Sequence, residues 1–223
     1  MKACVIIPTY NEARTIGSLV SAIRRDNLDV VVIDDGSSDN TVSLARDNGA
    51  TVLKNPVNEG KGASLAKGFR YASDRGFEAV ITMDGDGQHL PKDISSFIQL
   101  AGRSPAGIII GNRMQKTGAM PWLRIITNTF MSWLISLVTK QGIPDSQCGF
   151  RLIRRELLER LNLMTTKYET ETEILIRAAE MGFTIESVAI NTVYGDEKSQ
   201  INSFLDTARF IRFIIREIWI MPF

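Results

Sequence analysis

Acidic side chains follow three short apolar segments of this 223-residue chain. The three polar stretches are Thr9-Tyr10-Asn11-Glu12, Asp34-Asp35-Gly36-Ser37-Ser38-Asp39 and Asp84-Gly85-Asp86-Gly87-Gln88-His89. A single Asp-Gly pair is typical of a turn, but the ends of parallel strands meet at one edge of a sheet. Carboxylates brought together there repel one another unless a cation or hydrogen-bond donors compensate them. The pattern predicts one polar site rather than three separate turns.

The third stretch is the sharpest indication of a metal site. Asp84 and Asp86 are separated by one glycine, so both carboxylates can approach a hard cation, and Gln88 adds a neutral oxygen. The ligand set is incomplete, which suits Mg²⁺ or Mn²⁺ that also binds substrate phosphates. An EF-hand loop is excluded because His89 stands at its sixth position instead of Gly and Ser95 at its twelfth instead of Glu.

A glycine-rich segment, Asn58-Glu59-Gly60-Lys61-Gly62-Ala63, invites comparison with a phosphate-binding loop. It departs from a Walker A motif because Gly62 follows Lys61 and because Asn55 stands where the first glycine belongs. We interpret it as a tight turn that opens a helix. The alternative, that its N–H groups and Lys61 face a diphosphate, stays open.

Several arginines of the second half of the chain are candidates for binding phosphate. Arg113 follows a strand-like segment beside Gly111-Asn112, and this position favours a phosphate clamp. Arg154 and Arg155 are expected on a solvated helix surface, which is the usual place for arginines in such a pattern.

The elements that position these residues alternate between strand and helix. Apolar, β-branched segments predict strands over residues 3–8, 30–33, 51–53, 79–83 and 107–110, and helical spacing predicts helices over 12–25, 41–48 and 63–75. The second half is less regular, with an apolar helix within 118–141, amphipathic helices over 154–163 and 171–181, and one or two strands over 183–193. Such alternation predicts an α/β fold with a mostly parallel sheet covered by helices on both faces.

The composition excludes several classes of protein. With 26 basic and 25 acidic side chains the formal net charge is +1, so the chain has no basic excess of the kind that binds nucleic acid. Two cysteines and one histidine are too few for a disulfide framework, a four-ligand zinc site or a His-x-x-x-His motif. Apolar residues make up 44% and charged residues 23%, as in a globular domain.

The ends of the chain bear on its location. No segment reaches the ~20 apolar residues of a membrane-spanning helix, and the apolar start is too short for a signal peptide, so we expect a cytoplasmic protein. Residues 204–223 are mostly apolar but carry Arg209, Arg212, Arg216 and Glu217. This stretch is predicted either to lie on a membrane surface or to pack on the domain. The simplest organisation is one domain over residues 1–200 and an amphipathic segment over 201–223.

Four of these segments together resemble the motifs of family-2 glycosyltransferases. They are Ile6-Ile7-Pro8-Thr9-Tyr10-Asn11-Glu12, Val32-Ile33-Asp34-Asp35-Gly36-Ser37-Ser38-Asp39, Met83-Asp84-Gly85-Asp86-Gly87-Gln88-His89 and Gly111-Asn112-Arg113. Further along, three segments are similar to the polyprenol-phosphate branch of that family, which includes dolichyl-phosphate mannose and glucose synthases: Asp145-Ser146-Gln147-Cys148-Gly149-Phe150-Arg151, Glu173-Ile174-Leu175 and Gly182-Phe183.

The resemblance implies a fold, a reaction and a set of site residues. The fold is GT-A, and the reaction is an inverting sugar transfer from a GDP- or UDP-sugar to a polyprenol phosphate, with Mg²⁺ or Mn²⁺ as cofactor. The nucleotide-binding residues would be Pro8, Tyr10, Glu12, Ile33, Asp35, Asp84 and Gly85, with Asp35 at the base. The metal ligands would be Asp84, Asp86 and Gln88. The catalytic residues would be Asp86, Arg113 and Arg124, with the two arginines also at the acceptor phosphate.

The implied reaction needs no conventional base. A lipid-phosphate oxygen is already anionic near neutral pH, so no proton has to be removed before it attacks the sugar. The demanding steps are the approach of two phosphates and the departure of the nucleoside diphosphate, and a divalent cation and arginines assist both. His89 is therefore predicted to order its loop rather than to act as a base.

The chain departs from the branch in two ways. Members typically carry an arginine before a Gly-x-Ser-Lys stretch, whereas residues 194–200 contain none, so Lys198 is the candidate replacement at the acceptor phosphate. Many members also carry C-terminal membrane helices. Because this chain has no such helix, we expect it to meet its lipid peripherally at the cytoplasmic membrane surface, through residues 125–138, the C-terminal segment or a partner protein.

Two alternative functions stay open. One is sugar transfer to a non-lipid acceptor, such as a glycan or a small metabolite. The other is a non-catalytic module that binds a nucleotide sugar; such a module is expected to lose one aspartate of the Asp-x-Asp pair, and both are present here. A nucleotidyltransferase is disfavoured because no Gly-x-Gly-Thr-Arg opening occurs. No motif predicts the oligomeric state.

Overall fold

A seven-stranded sheet forms the centre of the fold. The computed structural model describes residues 1–118, 120–167 and 169–193. The strands are β1 (Ala3–Thr9), β2 (Asp29–Asp34), β3 (Thr51–Lys54), β4 (Ala79–Thr82), β5 (Ile108–Asn112), β6 (Arg151–Arg154) and β7 (Ile185–Ala189). Their order is β3-β2-β1-β4-β6-β5-β7, and β6 alone runs antiparallel to its neighbours. The predicted α/β fold with a mostly parallel sheet is confirmed.

Helices cover both faces of the sheet. They are α1 (Ile16–Arg25), α2 (Thr41–Asp47), α3 (Lys61–Asp74), α4 (Ile94–Arg103), α5 (Trp122–Thr139), α6 (Arg155–Leu158) and α7 (Glu169–Glu180). Alternate residues of β1 divide between two cores, because successive side chains of a strand point to opposite faces. Ile6 packs in the core that also holds Leu65 of α3 and Leu175 of α7, whereas Ile7 packs in the core that holds Val20 of α1 and Phe97 of α4.

Three elements differ from the sequence prediction: β6, α6 and α4. Residues 151–154 form β6, and the helix expected over 154–163 is only the short α6. The strand inserts antiparallel between β4 and β5, pairing Leu152 with both Ile81 and Ile109, so its conformation is set by these neighbours. Helix α4 was not predicted, although Ile94, Phe97 and Ala101 form its buried stripe. The predicted boundary at residue 200 and the segment 201–223 lie outside the described residues.

The parallel strands fix the position of the loops. In an open α/β sheet the ligand site lies beyond the carboxyl ends of the strands. Strands β1, β2, β4 and β5 run in one direction, so the loops that follow them lie at the same sheet edge. Among the described helices, none combines the length and the apolar character needed to cross a membrane.

Candidate active site

The loops after β1 and β2 are joined by hydrogen bonds. The backbone N–H of Asn11 donates to Ser37 Oγ at 2.9 Å, and Asn11 Oδ1 accepts the N–H of Ser38 at 2.9 Å. Asn11 adopts a left-handed conformation with φ of 58°, which asparagine tolerates better than most residues. The N–H of Asp35 donates to the carbonyl of Thr9 at 2.8 Å. The predicted convergence of these acidic loops is present in the fold.

Asp35 holds the segment that leads into α3. Its Oδ1 accepts hydrogen bonds from Asn55 Nδ2 at 2.8 Å and from the N–H of Glu59 at 2.9 Å. Its Oδ2 accepts the N–H of Gly60 at 2.8 Å. Asp35 is buried, so these bonds compensate a carboxylate that water does not solvate. Its predicted contact with a nucleoside base stays a prediction.

The other predicted nucleotide-binding residues lie around the same edge with different exposure. Tyr10 is 37% exposed and Pro8 is half-buried, whereas Ile33 is fully buried in the core next to α3. Glu12 is half-buried, and its backbone N–H donates to Thr41 Oγ1 at 2.8 Å. Tyr10, Pro8 and Glu12 therefore have surface from which a ligand can be contacted, and Ile33 contributes through packing.

The glycine-rich segment forms the tight turn that opens α3. Gly60 has a φ of 100°, and an added Cβ there would lie 2.4 Å from the carbonyl oxygen of Thr166. That carbonyl accepts the N–H groups of Gly62 and Ala63 at 2.8 and 3.3 Å. The helix-opening turn is confirmed, and protein oxygens rather than a diphosphate take up these N–H groups.

Lys61 connects the loop after β4 to α7. Its ammonium group pairs with Asp84 Oδ1 and lies 2.7 Å from Glu171 Oε1. Burial acts to lower the pKa of Lys61, but the attraction of Asp84 and Glu171 outweighs it and raises that pKa. Burial also acts to raise the pKa of Asp84, but nearby charges, Lys61 foremost, lower it to about 2. Asp84 is therefore ionised at every pH at which the protein is expected to work.

His89 packs beneath the same loop. Burial chiefly lowers its pKa to about 4, so the imidazole is neutral at pH 7. Its Nδ1 accepts the backbone N–H of Asp84 at 3.5 Å, and its Nε2 lies 3.9 Å from Cys148 Sγ. Its ring packs on Phe150, with the centroids 5.1 Å apart. These contacts agree with the predicted role of His89 in ordering the loop.

Asp86 is half-buried and lines an open groove between its loop and α1. Its Oδ1 accepts the backbone N–H of Gln88 at 2.9 Å, and Gln88 lines the same groove. The loop packs tightly on the end of β1, since an added Cβ on Gly85 would lie 2.8 Å from Thr9 Cγ2. Thr15 Oγ1 donates to the carbonyl of Gly85 at 2.6 Å.

The donor atoms at Asp86 and Gln88 fit a divalent cation that is completed by a ligand. The described residues contain no group of three or more His, Cys, Asp or Glu side chains placed to hold a metal by themselves. A hard cation such as Mg²⁺ keeps several waters and uses one or two carboxylates with substrate phosphates. The site matches that pattern, because one half-buried carboxylate and one amide side chain face an open groove.

Arg113 is fixed by a buried carboxylate on the loop that precedes β6. Its Nε and Nη2 donate to Asp145 Oδ2 and Oδ1 at 2.7 and 2.9 Å, and its backbone N–H donates to Oδ2 at 3.1 Å. A bidentate pair of this kind sets both the position and the orientation of the guanidinium group. Arg124 lies in the first turn of α5, and Lys198 lies outside the described residues.

Two charged residues of this region, Arg151 and Glu173, lie in segments similar to the polyprenol-phosphate branch, but their burial was not predicted. Arg151 is 1% exposed and donates to three carbonyls: Nε to Cys148 and Nη2 to Ser146, both at 2.8 Å, and Nη1 to Glu171. Glu173 is fully buried and accepts the N–H groups of residues 164 and 165, each at 2.9 Å. For Arg151 the available signal was a charge between two apolar residues, Phe150 and Leu152, whereas Glu173 follows the polar residues Glu171 and Thr172 and carried no such signal.

The chain is similar to known proteins over most of its length. The profile described as Glycosyl transferase family 2 matches residues 4–161. UDP-N-acetylglucosamine–dolichyl-phosphate N-acetylglucosaminyltransferase of Methanococcus voltae is 30% identical over 213 residues, covering 85% of this chain and 85% of that protein. Polyprenol monophosphomannose synthase of Mycolicibacterium smegmatis is 30% identical over 207 residues, covering 85% of this chain and 76% of that protein.

A solved structure shares the fold. Glucosyl-3-phosphoglycerate synthase from Mycobacterium tuberculosis, crystallised with Mn²⁺, uridine diphosphate and phosphoglyceric acid, matches with a TM-score of 0.75 and 22% identity. The match covers 97% of this chain and 77% of that chain. This likeness concerns the fold, and it agrees with the GT-A architecture predicted from the sequence motifs.

Proposed function

Because this chain belongs to glycosyl transferase family 2, we propose that it transfers a sugar, with inversion, from a nucleotide-sugar donor to a polyprenol phosphate. The observation that carries the proposal is the placement of two groups at one sheet edge. Asp86, on the loop after β4, lines an open groove. Arg113, which directly follows β5, is held by the side chain of Asp145. The names of the two curated relatives, both polyprenol- or dolichyl-phosphate sugar transferases, support the choice of acceptor.

The donor would bind along the loops after β1, β2 and β4. The nucleoside would lie against Pro8, Tyr10 and Glu12, with the buried Ile33 and Asp35 supporting that surface. The diphosphate would lie near Asp84, Gly85 and Asp86. Two of the three predicted metal ligands, Asp86 and Gln88, would hold Mg²⁺ or Mn²⁺, whereas the third, Asp84, pairs with Lys61. When bound, the cation would neutralise charge on the departing nucleoside diphosphate. The solved synthase that shares this fold was crystallised with Mn²⁺ and uridine diphosphate, and this agrees with a UDP-sugar as the donor to test first.

The acceptor phosphate would bind beside the arginines. Arg113 is held in one orientation by its bidentate pair with Asp145, so its guanidinium group has a fixed position beside the sheet edge, where Asp145 shares its charge. Helix geometry places Arg124 on the inner side of α5, because Asn128 and Met131, four and seven residues later, are buried. An anionic phosphate oxygen is itself the nucleophile. His89 is neutral and 3% exposed, which argues against its use as a base.

Helix α5 offers a surface suited to a membrane. Five large apolar side chains form a stripe along one side of it, between 55% and 72% exposed: Trp122, Ile126, Phe130, Trp133 and Leu137. Trp and Phe beside exposed aliphatic side chains are typical of helices that lie in a membrane interface. We propose that this stripe rests on the lipid surface while the opposite side of α5 carries Arg124 toward the acceptor phosphate.

The reaction is tested by incubating the protein and Mn²⁺ with radiolabelled UDP- and GDP-sugars and either polyprenol phosphate in vesicles or soluble acceptors. We expect label in the organic-extractable lipid fraction. Asp86→Ala should reduce that label by at least about a hundredfold, since it removes the cation ligand. Asp47→Ala, an exposed position at the end of α2, is the matched control.

The outcomes separate the competing functions. Label that enters only a soluble acceptor would establish a non-lipid transferase instead. Donor binding without label in any acceptor would indicate a binding module. The membrane surface is tested separately by vesicle flotation: Phe130→Ser/Trp133→Ser should lower the bound fraction about tenfold, whereas the exposed Val57→Ser should leave it unchanged. Equal flotation of both variants would contradict the α5 surface.

A further inference from the structure

A lysine side chain occupies the space between two carboxylates, one on the loop after β4 and the other on α7. Lys61 Nζ pairs with Asp84, from the loop after β4, and with Glu171, from α7, where the distance to Oε1 is 2.7 Å. All three side chains are largely buried, with 20%, 27% and 13% of their area exposed. This is therefore an internal ion cluster rather than a surface salt bridge of little energetic value.

The two carboxylates are close enough to form a cation site of their own. An added Cβ on Gly149 would lie 2.7 Å from both Asp84 Oδ2 and Glu171 Oε1, so these two oxygens lie within twice that distance of each other. Two unpaired carboxylates at this spacing repel, and a hard cation between them relieves that repulsion. In this chain the ammonium group of Lys61 supplies the positive charge.

The fold fixes the lysine in that place. Lys61 is the first residue of α3, and the carbonyl of Thr166 accepts the N–H of the next residue, Gly62, at 2.8 Å. An added Cβ on Gly62 would lie 2.0 Å from Thr170 Oγ1, so the helix start packs directly on the segment that begins α7. Lys61 and Glu171 are thus brought together by backbone packing, not by a flexible side chain alone.

We propose that Lys61 is a tethered cation that fills the Asp84–Glu171 pair and thereby directs the divalent cation to Asp86. A divalent cation bound at Asp84 would sit beside the ammonium group and be repelled by it. Asp86 lies two residues further on, where its Oδ1 accepts a backbone N–H and its side chain faces the open groove. Lys61 is in this sense a positioning residue for the metal. The inference rests on the proposed metal-dependent function and sharpens the predicted ligand set.

The test is Mn²⁺ binding alone, followed by the EPR signal of unbound Mn²⁺, with no nucleotide sugar present. In Lys61→Met we expect Mn²⁺ affinity to rise at least about tenfold, because two carboxylates lose their counter-ion. The gain should disappear in Lys61→Met/Glu171→Gln. Lys61→Arg keeps the charge and should bind Mn²⁺ like the unaltered protein. Lys54→Met, which removes an exposed lysine on β3, is the control for loss of one positive charge.

Several results would overturn the proposal. One such result is that folded Lys61→Met binds Mn²⁺ with the same affinity as the unaltered protein. Another is that Asp84→Asn loses Mn²⁺ binding to the same degree as Asp86→Asn. Both of these variants retain Lys61. Circular dichroism melting checks the fold of each variant, and Lys61→Gln replaces Lys61→Met if the latter does not fold. Failure of sugar transfer to polyprenol phosphate would refute the proposed acceptor but would leave these metal measurements unaffected.

Discussion

The proposed donor side, formed by the loops after β1 and β2, and the proposed acceptor side, around Arg113 and Arg151, are held together by different interactions. On the donor side, the loops after β1 and β2 exchange hydrogen bonds through short polar side chains and backbone N–H groups, as between Asn11 and Ser38 or between Asp39 Oδ2 and the N–H of Ala13 at 3.1 Å. On the acceptor side, long charged side chains are buried. Arg113 pairs with Asp145. The side chain of Arg151 donates hydrogen bonds to two carbonyls of the loop that precedes β6.

The difference has an energetic meaning. A hydrogen bond contributes about 1 kcal/mol between neutral groups and about 1.5–3 kcal/mol when one group is charged, so the loops after β1 and β2 distribute their stability over several modest contributions. A buried charge whose partner is removed costs about 3–5 kcal/mol, so the acceptor side depends on a few residues. We therefore expect single substitutions to have small, graded effects near Asn11 and large effects near Arg151.

The largest effect is expected for Arg151→Met. This change keeps the length of the side chain but leaves the carbonyls of Ser146, Cys148 and Glu171 without their donor inside the protein. We expect the free energy of unfolding to fall by about 3–5 kcal/mol, measured by urea denaturation. The control is Arg155→Met, because Arg155 pairs with Glu159 on the surface. A loss below about 1 kcal/mol for Arg151→Met would remove the contrast between the two sides.

The next largest effect is a dependence of stability on pH, which we expect to come from His89, the single histidine of the chain. Burial lowers the pKa of His89 to about 4 from its usual 6.5, so the unfolded chain takes up a proton before the folded one does. The contribution of neutral His89 to the stability of the folded state is complete above pH 6.5 and is lost as the pH falls toward 4. Between pH 7 and 5 we expect a loss of about 2 kcal/mol in the free energy of unfolding, measured in EDTA-containing buffer.

His89→Gln provides the comparison for that measurement. Because no other histidine is present, the variant should show a nearly flat free energy of unfolding between pH 7 and 5.5, above the range in which carboxylates titrate. An unchanged slope in the variant would show that His89 is not the group responsible. Asp84 adds a second loss at lower pH, since its pKa of about 2 lies below its usual 3.8. That stabilisation is present above pH 3.8 and is lost as the pH falls toward 2.

A smaller effect is expected for Asp35→Asn on the donor side. The amide group has one oxygen in place of two, so either the N–H of Gly60 or the pair formed by Asn55 and Glu59 loses its acceptor. We expect a loss of about 1–2 kcal/mol in urea denaturation and weaker donor binding in thermal-shift assays. A loss as large as that of Arg151→Met would mean that the donor side also depends on single buried charges.

The same contrast explains what the sequence could predict. The parallel strands and the acidic loops at their ends follow from local patterns, because apolar runs and strand ends are visible in a few consecutive residues. The buried pairs do not follow in this way. Lys61 and Glu171 lie far apart in the chain and meet only because α3 packs on the start of α7. The burial of Arg151 follows only once β6 is placed between β4 and β5. Helix α4 was predictable, since Ile94, Phe97 and Ala101 carry the spacing.

The smallest effect is expected for Ser37→Ala, which removes one solvent-exposed hydrogen bond of the donor side. The substitution removes the Oγ that accepts the N–H of Asn11 at 2.9 Å, but this bond is solvent-exposed, so water can replace it. We expect a loss of about 0.5 kcal/mol in the free energy of unfolding. Ser18→Ala, which removes an exposed hydroxyl bonded to the carbonyl of Thr15, is the control. If Ser37→Ala instead costs more than about 2 kcal/mol, the two loops act as one cooperative unit, and the donor side resembles the acceptor side after all.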